Sequence, residues 1–314
     1  MFVDMLIEKI KEKDNPSVVG LDPKIEYVPS FIKEDMYKEH GKNSKGAAQA
    51  ILLFNKYIID AICDIVPAVK PQLAYYEMYG LEGIKAFYET CRYAKDKGLL
   101  VIADGKRNDI GSTAECYSSA YIGRTVIDED ISEAAFDVDA LTVNPYLGVD
   151  GIKPFIDDCI KYNKGIFVLV KTSNKSSGQL QDLLTQEGKS IYEVVAEHVE
   201  SWGANKKGKY GYSSVGAVVG ATYPNQAKIL RKILKSSYIL VPGYGAQGGT
   251  ARDVAHSFNS DGLGAIVNAS RSIMCAYKSE QWKDLYSEEK FYEASRAEAI
   301  RMKEDINSVL HNSK

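Results

Sequence analysis

Short, continuously apolar runs recur along the chain at 17–21, 68–70, 99–103, 140–143, 165–170, 215–220, 238–241 and 264–267. They are too short for helices and rich in β-branched residues, so they predict eight strands. A run that is apolar at every position suits a strand covered on both faces, as in a parallel sheet wrapped by helices. Between the runs the period changes. The stretches GLEGIKAFYETCRYAKDKG and SIYEVVAEHVESWGANK carry apolar residues three and four apart and read as amphipathic helices. This alternation predicts an α/β protein, a closed (β/α)8 TIM barrel in a single domain over residues 1–314. An open doubly wound sheet is the alternative, but no GxGxxG turn follows the first strand, where the sequence reads GLDPKIEYVPS. Two polar stretches, 29–45 and 172–189, look like insertions after strand ends, where a barrel keeps its functional loops.

Composition narrows the class. Hydrophobic residues at 45% against 26% charged supply a full core and argue against disorder. The net charge of −3, with Lys and Arg spread along the chain, predicts no nucleic-acid partner. The amino-terminal MFVDMLIEKIKEKD has helical spacing rather than a signal-peptide layout, and no run is apolar enough to span a membrane. Cys63, Cys91, Cys116, Cys159 and Cys275 form no CxxC pair and are odd in number, so a reducing cytoplasm is expected. His40, His198, His256 and His311 are scattered, which speaks against a zinc site.

The candidate chemistry lies in VIADGKRNDIGSTA, where the third strand ends. Residues two apart on a strand share a face, so Asp104 and Lys106 point the same way. Asp109 follows past the strand, and Lys70 ends the neighbouring second strand. Singly, such an aspartate is often a helix cap and such a lysine often reaches into water. As a set they imply pairing, because buried charges are costly unless they pair. A lysine flanked by carboxylates keeps its ammonium form, which disfavours a Schiff base and suits stabilising and then protonating a carbanion. Two later loops, VPGYGAQGGTARD and VNASRSIM, follow the seventh and eighth strands, where barrel enzymes often hold a phosphate. Gly243, Gly245, Gly248 and Gly249 allow close backbone approach, Gln247 offers an amide and Arg271 a charged fork.

The motif DGKRNDI, together with GLDP, VK, KTSN, PGYGAQGG and NASRSI, which follow in that order the first, second, fifth, seventh and eighth strands, resembles the orotidine 5'-monophosphate decarboxylase family, in its longer bacterial form, from about Asp22 to Arg271. The resemblance implies decarboxylation of orotidine 5'-monophosphate to UMP, in pyrimidine nucleotide biosynthesis, with no metal or organic cofactor. It assigns Lys106 as the acid that protonates C6, flanked by Asp104 and by Asp109 from the other subunit of a homodimer, with Lys70 completing the tetrad. Asp22 would hold a ribose hydroxyl, and Ile110 and Thr113 would enter the neighbouring site. Ser173 would face the pyrimidine, Gln247 would bridge base and phosphate, Arg271 would grip the phosphate, and Pro242 would also contact substrate. Lys175 follows KTSN where many relatives carry proline. Two rivals remain: magnesium-dependent sugar-phosphate enzymes of similar barrel, disfavoured because Lys70 stands where they carry a metal-holding carboxylate, and a non-catalytic nucleotide-binding barrel.

Overall fold

The computed structural model describes residues 1–311. Its strands are β1 (Ser17–Leu21), β2 (Ala68–Pro71), β3 (Leu100–Arg107), β4 (Thr125–Asp128), β5 (Ile131–Glu133), β6 (Ala140–Val143), β7 (Gly165–Lys171), β8 (Ser213–Val219), β9 (Ser237–Pro242) and β10 (Ala265–Ala269). Eight of them close a parallel barrel in the order β1-β10-β9-β8-β7-β6-β3-β2. These are the strands the apolar runs predict. β4 and β5 form a separate antiparallel hairpin that the pattern does not announce, because every residue of both strands is exposed.

Two cores explain why the barrel strands are apolar at every position. Val18, Ala68, Ile102, Ala140, Leu240 and Ile266 fill the barrel interior. Their neighbours Val19, Val69, Val101, Leu141, Val241 and Val267 pack outward against the helices. The amino-terminal helix Phe2–Lys13 closes the floor of the barrel, with Phe2, Val3, Leu6, Ile7 and Ile10 in the interior cluster. Burying both faces of each strand is the main stabilising contribution available to such a sheet.

The expected helices form at Gly80–Asp96 and Ile191–Gly203, the second opened by a capping box between Ser190 and Glu193. The stretch 29–45 is largely the helix Ser30–His40, and Asn43 then caps the helix Ser44–Ile62 by accepting from the Lys45 and Gly46 amides. The stretch 172–189 contains the turn Lys175–Ser177 and the short helix Gly178–Gln181. The helix Phe291–His311 packs across the helices Ser44–Ile62 and Ala251–Ala255.

Candidate active site

Two residues beyond the interior core positions, toward the carboxyl end of each strand, the side chains change character. Val18 is followed on the same face by Gly20, Ala68 by Lys70, Ile102 by Asp104, Ala140 by Thr142, Leu240 by Pro242 and Ile266 by Asn268. Except for Gly20, these residues line a cavity of about 630 Å3, joined there by Asp22, Lys106, Ser173, Gln247 and Arg271. A volume of that order suits a small-molecule ligand. Gly20 leaves room beside it, since a Cβ at this position would lie 1.9 Å from Ser270 Oγ and force that side chain to shift.

Asp104 is the hub. Its Oδ2 accepts from Lys70 Nζ at 2.7 Å, and its Oδ1 accepts from Lys106 Nζ at 2.6 Å and from Thr142 Oγ1 at 2.8 Å. Burial by itself would push this carboxyl up, but the two ammonium groups outweigh it and hold Asp104 well below the usual carboxylate range. Burial likewise opposes the charge on Lys70, yet Asp104 and then Asp22 outweigh it and raise its pKa. Both groups are therefore charged at neutral pH. The lysines differ in access: the Lys70 side chain is 4% exposed and that of Lys106 43%. One ammonium is locked in the wall and the other reaches into the cavity.

Lys106 arrives there by an unusual backbone. Its φ is +48°, in the left-handed region that a non-glycine residue rarely occupies, and the register of β3 on β6 shifts between Ala103 and Arg107. The Lys106 amide donates to Thr142 Oγ1 at 2.9 Å, so the same hydroxyl fixes both the strained residue and the hub carboxylate. Strain held in place by surrounding contacts is characteristic of functional positions.

At the opposite side, the loop after β9 turns through Gly243, Gly245 and Gly248 at φ of +99°, +71° and +94°. The Gly245, Gly248 and Gly249 amides bond to carbonyls of the loop itself, so these glycines shape the turn, and the Gln247 and Arg271 side chains carry its polarity into the cavity. Arg271 Nη2 donates to the Ala246 carbonyl at 3.2 Å, tying its guanidinium to the loop. Asp22 Oδ1 and Asn268 Oδ1 are buried with no hydrogen-bond partner among the described residues. Buried acceptors of this kind mark places where a ligand or water completes the bonding.

The structure thus gathers Asp22, Lys70, Asp104, Lys106, Ser173, Pro242, Gln247 and Arg271 around one cavity. Asp109, Ile110 and Thr113 do not line it. Asp109 Oδ1 accepts the Ile110 amide at 2.8 Å, and Ile110 and Thr113 are exposed where the helix Gly111–Tyr121 begins. Thr142 and Asn268 also line the cavity, and sequence reasoning assigns neither a role. The only signal of Thr142 is a polar residue at the last inward position of an otherwise apolar strand, whereas Asn268 also opens the NASRSI motif.

The family model for "Orotidine 5'-phosphate decarboxylase / HUMPS family" matches residues 44–284. This chain belongs to that family. An orotidine 5'-phosphate decarboxylase of Caldicellulosiruptor saccharolyticus is 46% identical to it over 98% of this chain and 99% of its own length. The protein of that name from Rhodopirellula baltica is 44% identical over 97% of this chain and 98% of its own. The solved Leishmania donovani OMP decarboxylase is 29% identical and superposes with a TM-score of 0.73, covering 99% of this chain and 98% of its own. The chain is accordingly an enzyme of the decarboxylase class, built on that family's barrel.

Proposed function

We propose that the chain converts orotidine 5'-monophosphate to UMP and CO2 through fixed charges, with Lys106 as the proton donor. The observation that carries this reading is the Lys70–Asp104–Lys106 array, one carboxylate held between two ammonium groups at the mouth of the barrel. Loss of CO2 breaks the bond from C6 to its carboxylate carbon and leaves the electron pair on C6, in an orbital the ring does not delocalise. An ammonium already aimed at that carbon stabilises the charge as it develops, with no reorganisation at the moment of reaction. Transfer of an Nζ proton from Lys106 then gives the C6–H of UMP. The partial exposure of Lys106 lets water return the proton.

The remaining residues divide the ligand between them in this reading. Asp22 and Lys70 hold the ribose, Ser173 faces the pyrimidine, Gln247 spans base and phosphate with Pro242 beneath them, and Arg271 grips the phosphate. Phosphate binding far from C6 then contributes to ordering the site for the chemical step.

Asp109, Ile110 and Thr113 serve the site of a second copy. Supporting this, Asn108 and Asp109 abut the segment around Gly151, and the apolar side chains nearby, Ile110, Leu147 and Val149, are exposed. An uncovered apolar surface of this kind beside a carboxylate suits a homodimer interface.

The test is an ultraviolet absorbance assay of orotidine 5'-monophosphate turnover, with and without EDTA, for the wild type and Lys106→Ala. Chelator-resistant activity that disappears in the variant is expected. Activity abolished by EDTA, or retained by Lys106→Ala, overturns the mechanism, and a wild type that leaves this substrate untouched overturns the reaction.

A further inference from the structure

One buried charge at the edge of the cavity takes no part in the chemistry above. Lys171, the last residue of β7, has a side chain that is 0% exposed. A strand-end lysine ordinarily extends its ammonium to water. Here it turns inward, donating to Asp182 Oδ1 at 2.6 Å and to Ser177 Oγ at 3.1 Å, and it lies 4.5 Å from the centre of the Tyr223 ring. These groups belong to, or brace, the stretch 172–189; a further neighbour, the Tyr192 ring at 5.6 Å, lies on the helix Ile191–Gly203.

From those groups, hydrogen bonds lead to both neighbours of Ser173. The Ser177 hydroxyl donates to Tyr223 Oη at 3.2 Å, and Tyr223 in turn donates to the Asn174 carbonyl at 3.1 Å. Gln181, the residue before Asp182, accepts the Thr172 amide at 3.0 Å and donates back to Thr172 Oγ1 at 2.8 Å. Thr172 Oγ1 also donates to Asn174 Oδ1 at 2.7 Å, and the Ser173 carbonyl accepts from Thr222 Oγ1 at 3.2 Å. Gly220 allows the close packing this needs, since a Cβ there would lie 2.8 Å from Ser173 Cα. The turn that presents Ser173 to the cavity is therefore held through a network with one charge at its root.

We infer that Lys171 is a positioning residue, whose ammonium, clamped by Asp182, fixes the turn at 172–174 so that Ser173 meets the pyrimidine in a constant geometry. The inference rests on the reading that Ser173 faces the base. Removing the ammonium frees the turn without touching the charged array around Asp104, so its cost falls on recognition of the base and on the alignment of C6. Small losses of alignment have large effects on rate.

The experiment is a mutant cycle. Lys171→Met and Asp182→Asn are each made alone and combined with Ser173→Ala, and kcat and KM for orotidine 5'-monophosphate are measured together with inhibition by ribose 5-phosphate, which has no base. Lys171→Met is expected to lower kcat/KM by about tenfold. Asp182→Asn acts in the same direction and less, neither variant alters ribose 5-phosphate inhibition, and neither costs anything further on top of Ser173→Ala. Equal losses with and without Ser173, weakened ribose 5-phosphate inhibition, or wild-type kinetics in both single variants overturn the inference while leaving base recognition by Ser173 intact. A Ser173→Ala enzyme with wild-type kinetics overturns that recognition itself, and the inference with it. Should Lys171→Met fail to fold, Asp182→Asn decides, since it keeps the buried Lys171 side chain in place and alters a side chain that is 46% exposed.

Discussion

Replacing Asp104 by asparagine keeps the shape of the hub and removes its charge. The carboxylate accepts from two ammonium groups and one hydroxyl. In either orientation an amide must turn its NH2 toward Lys70 or toward the Lys106–Thr142 pair. Lys106 is accessible enough to hydrate; Lys70 is not, and its one other anion, Asp22, is 3.9 Å away. Breaking a buried ion pair by removing one partner costs about 3–5 kcal/mol, and the residual Asp22 attraction favours the lower end. With unfolding entropy of roughly 2 cal/mol/K per residue, about 3 kcal/mol corresponds to a fall of about 5 °C in Tm for a chain of this size.

Thermal denaturation of the ligand-free protein at neutral pH measures this fall, and the ultraviolet assay reports activity, expected to drop by at least ~10²-fold. Two controls sharpen the test. Lys70→Met together with Asp104→Asn removes both buried charges and should recover most of the lost Tm while remaining inactive. The Asp104 carboxyl titrates lower in the folded than in the unfolded chain, so its contribution is present above the unfolded value and is lost as pH falls toward the depressed folded one. The Tm gap between wild type and Asp104→Asn should therefore narrow below about pH 4. An unchanged Tm in Asp104→Asn, or a double variant less stable than either single one, refutes the reasoning.

Three further outcomes follow from the same geometry. Arg271→Ala should lower kcat/KM for orotidine 5'-monophosphate by ~10²-fold or more and leave the slow reaction of phosphate-free orotidine unaffected; equal losses on both substrates would remove Arg271 from the phosphate. Mixing inactive Lys106→Ala and Asp109→Ala chains should restore activity through hybrid dimers carrying one intact site, and no recovery despite demonstrated subunit exchange would end the shared-site proposal. Gly20→Ala should displace Ser270, against which the new methyl would fall at 1.9 Å, and lower activity with little loss of Tm; wild-type kinetics would show that β1 has room to give.

The barrel was legible because its strands are buried on both faces, which writes an uninterrupted apolar signature into the sequence. The hairpin of β4 and β5 carries none: Val126, Ile127 and Ile131 all face outward, so no alternation marks it. Lys70, Asp104 and Lys106 stood out where apolar strands stop, and these three meet, whereas Asp109 lies outside the cavity of its own chain. The route Lys106 takes was not legible, since a non-glycine left-handed residue has no sequence mark and plain strand alternation already suggested that it joins Asp104. Thr142 was missed because threonine is an ordinary strand former. Lys171 looked like any strand-end lysine, and only the packed structure reveals that it points inward.

The helix that seals the barrel floor finds several of its partners late in the chain. Phe2 meets the ring of Phe167 with centroids 6.1 Å apart, the Val3 amide reaches Ser214 Oγ at 3.4 Å, and Lys11 sits 4.1 Å over Tyr210. During synthesis at roughly 5–20 residues per second, the apolar face of this helix waits on the order of 10–40 s before those surfaces emerge. Until then Phe2 and Val3 lack these late partners and are available to chaperones or to self-association. Closure of the floor is thus a late event in the vectorial folding of the chain, and amphipathic character at its amino terminus sets how safely a nascent chain passes that interval.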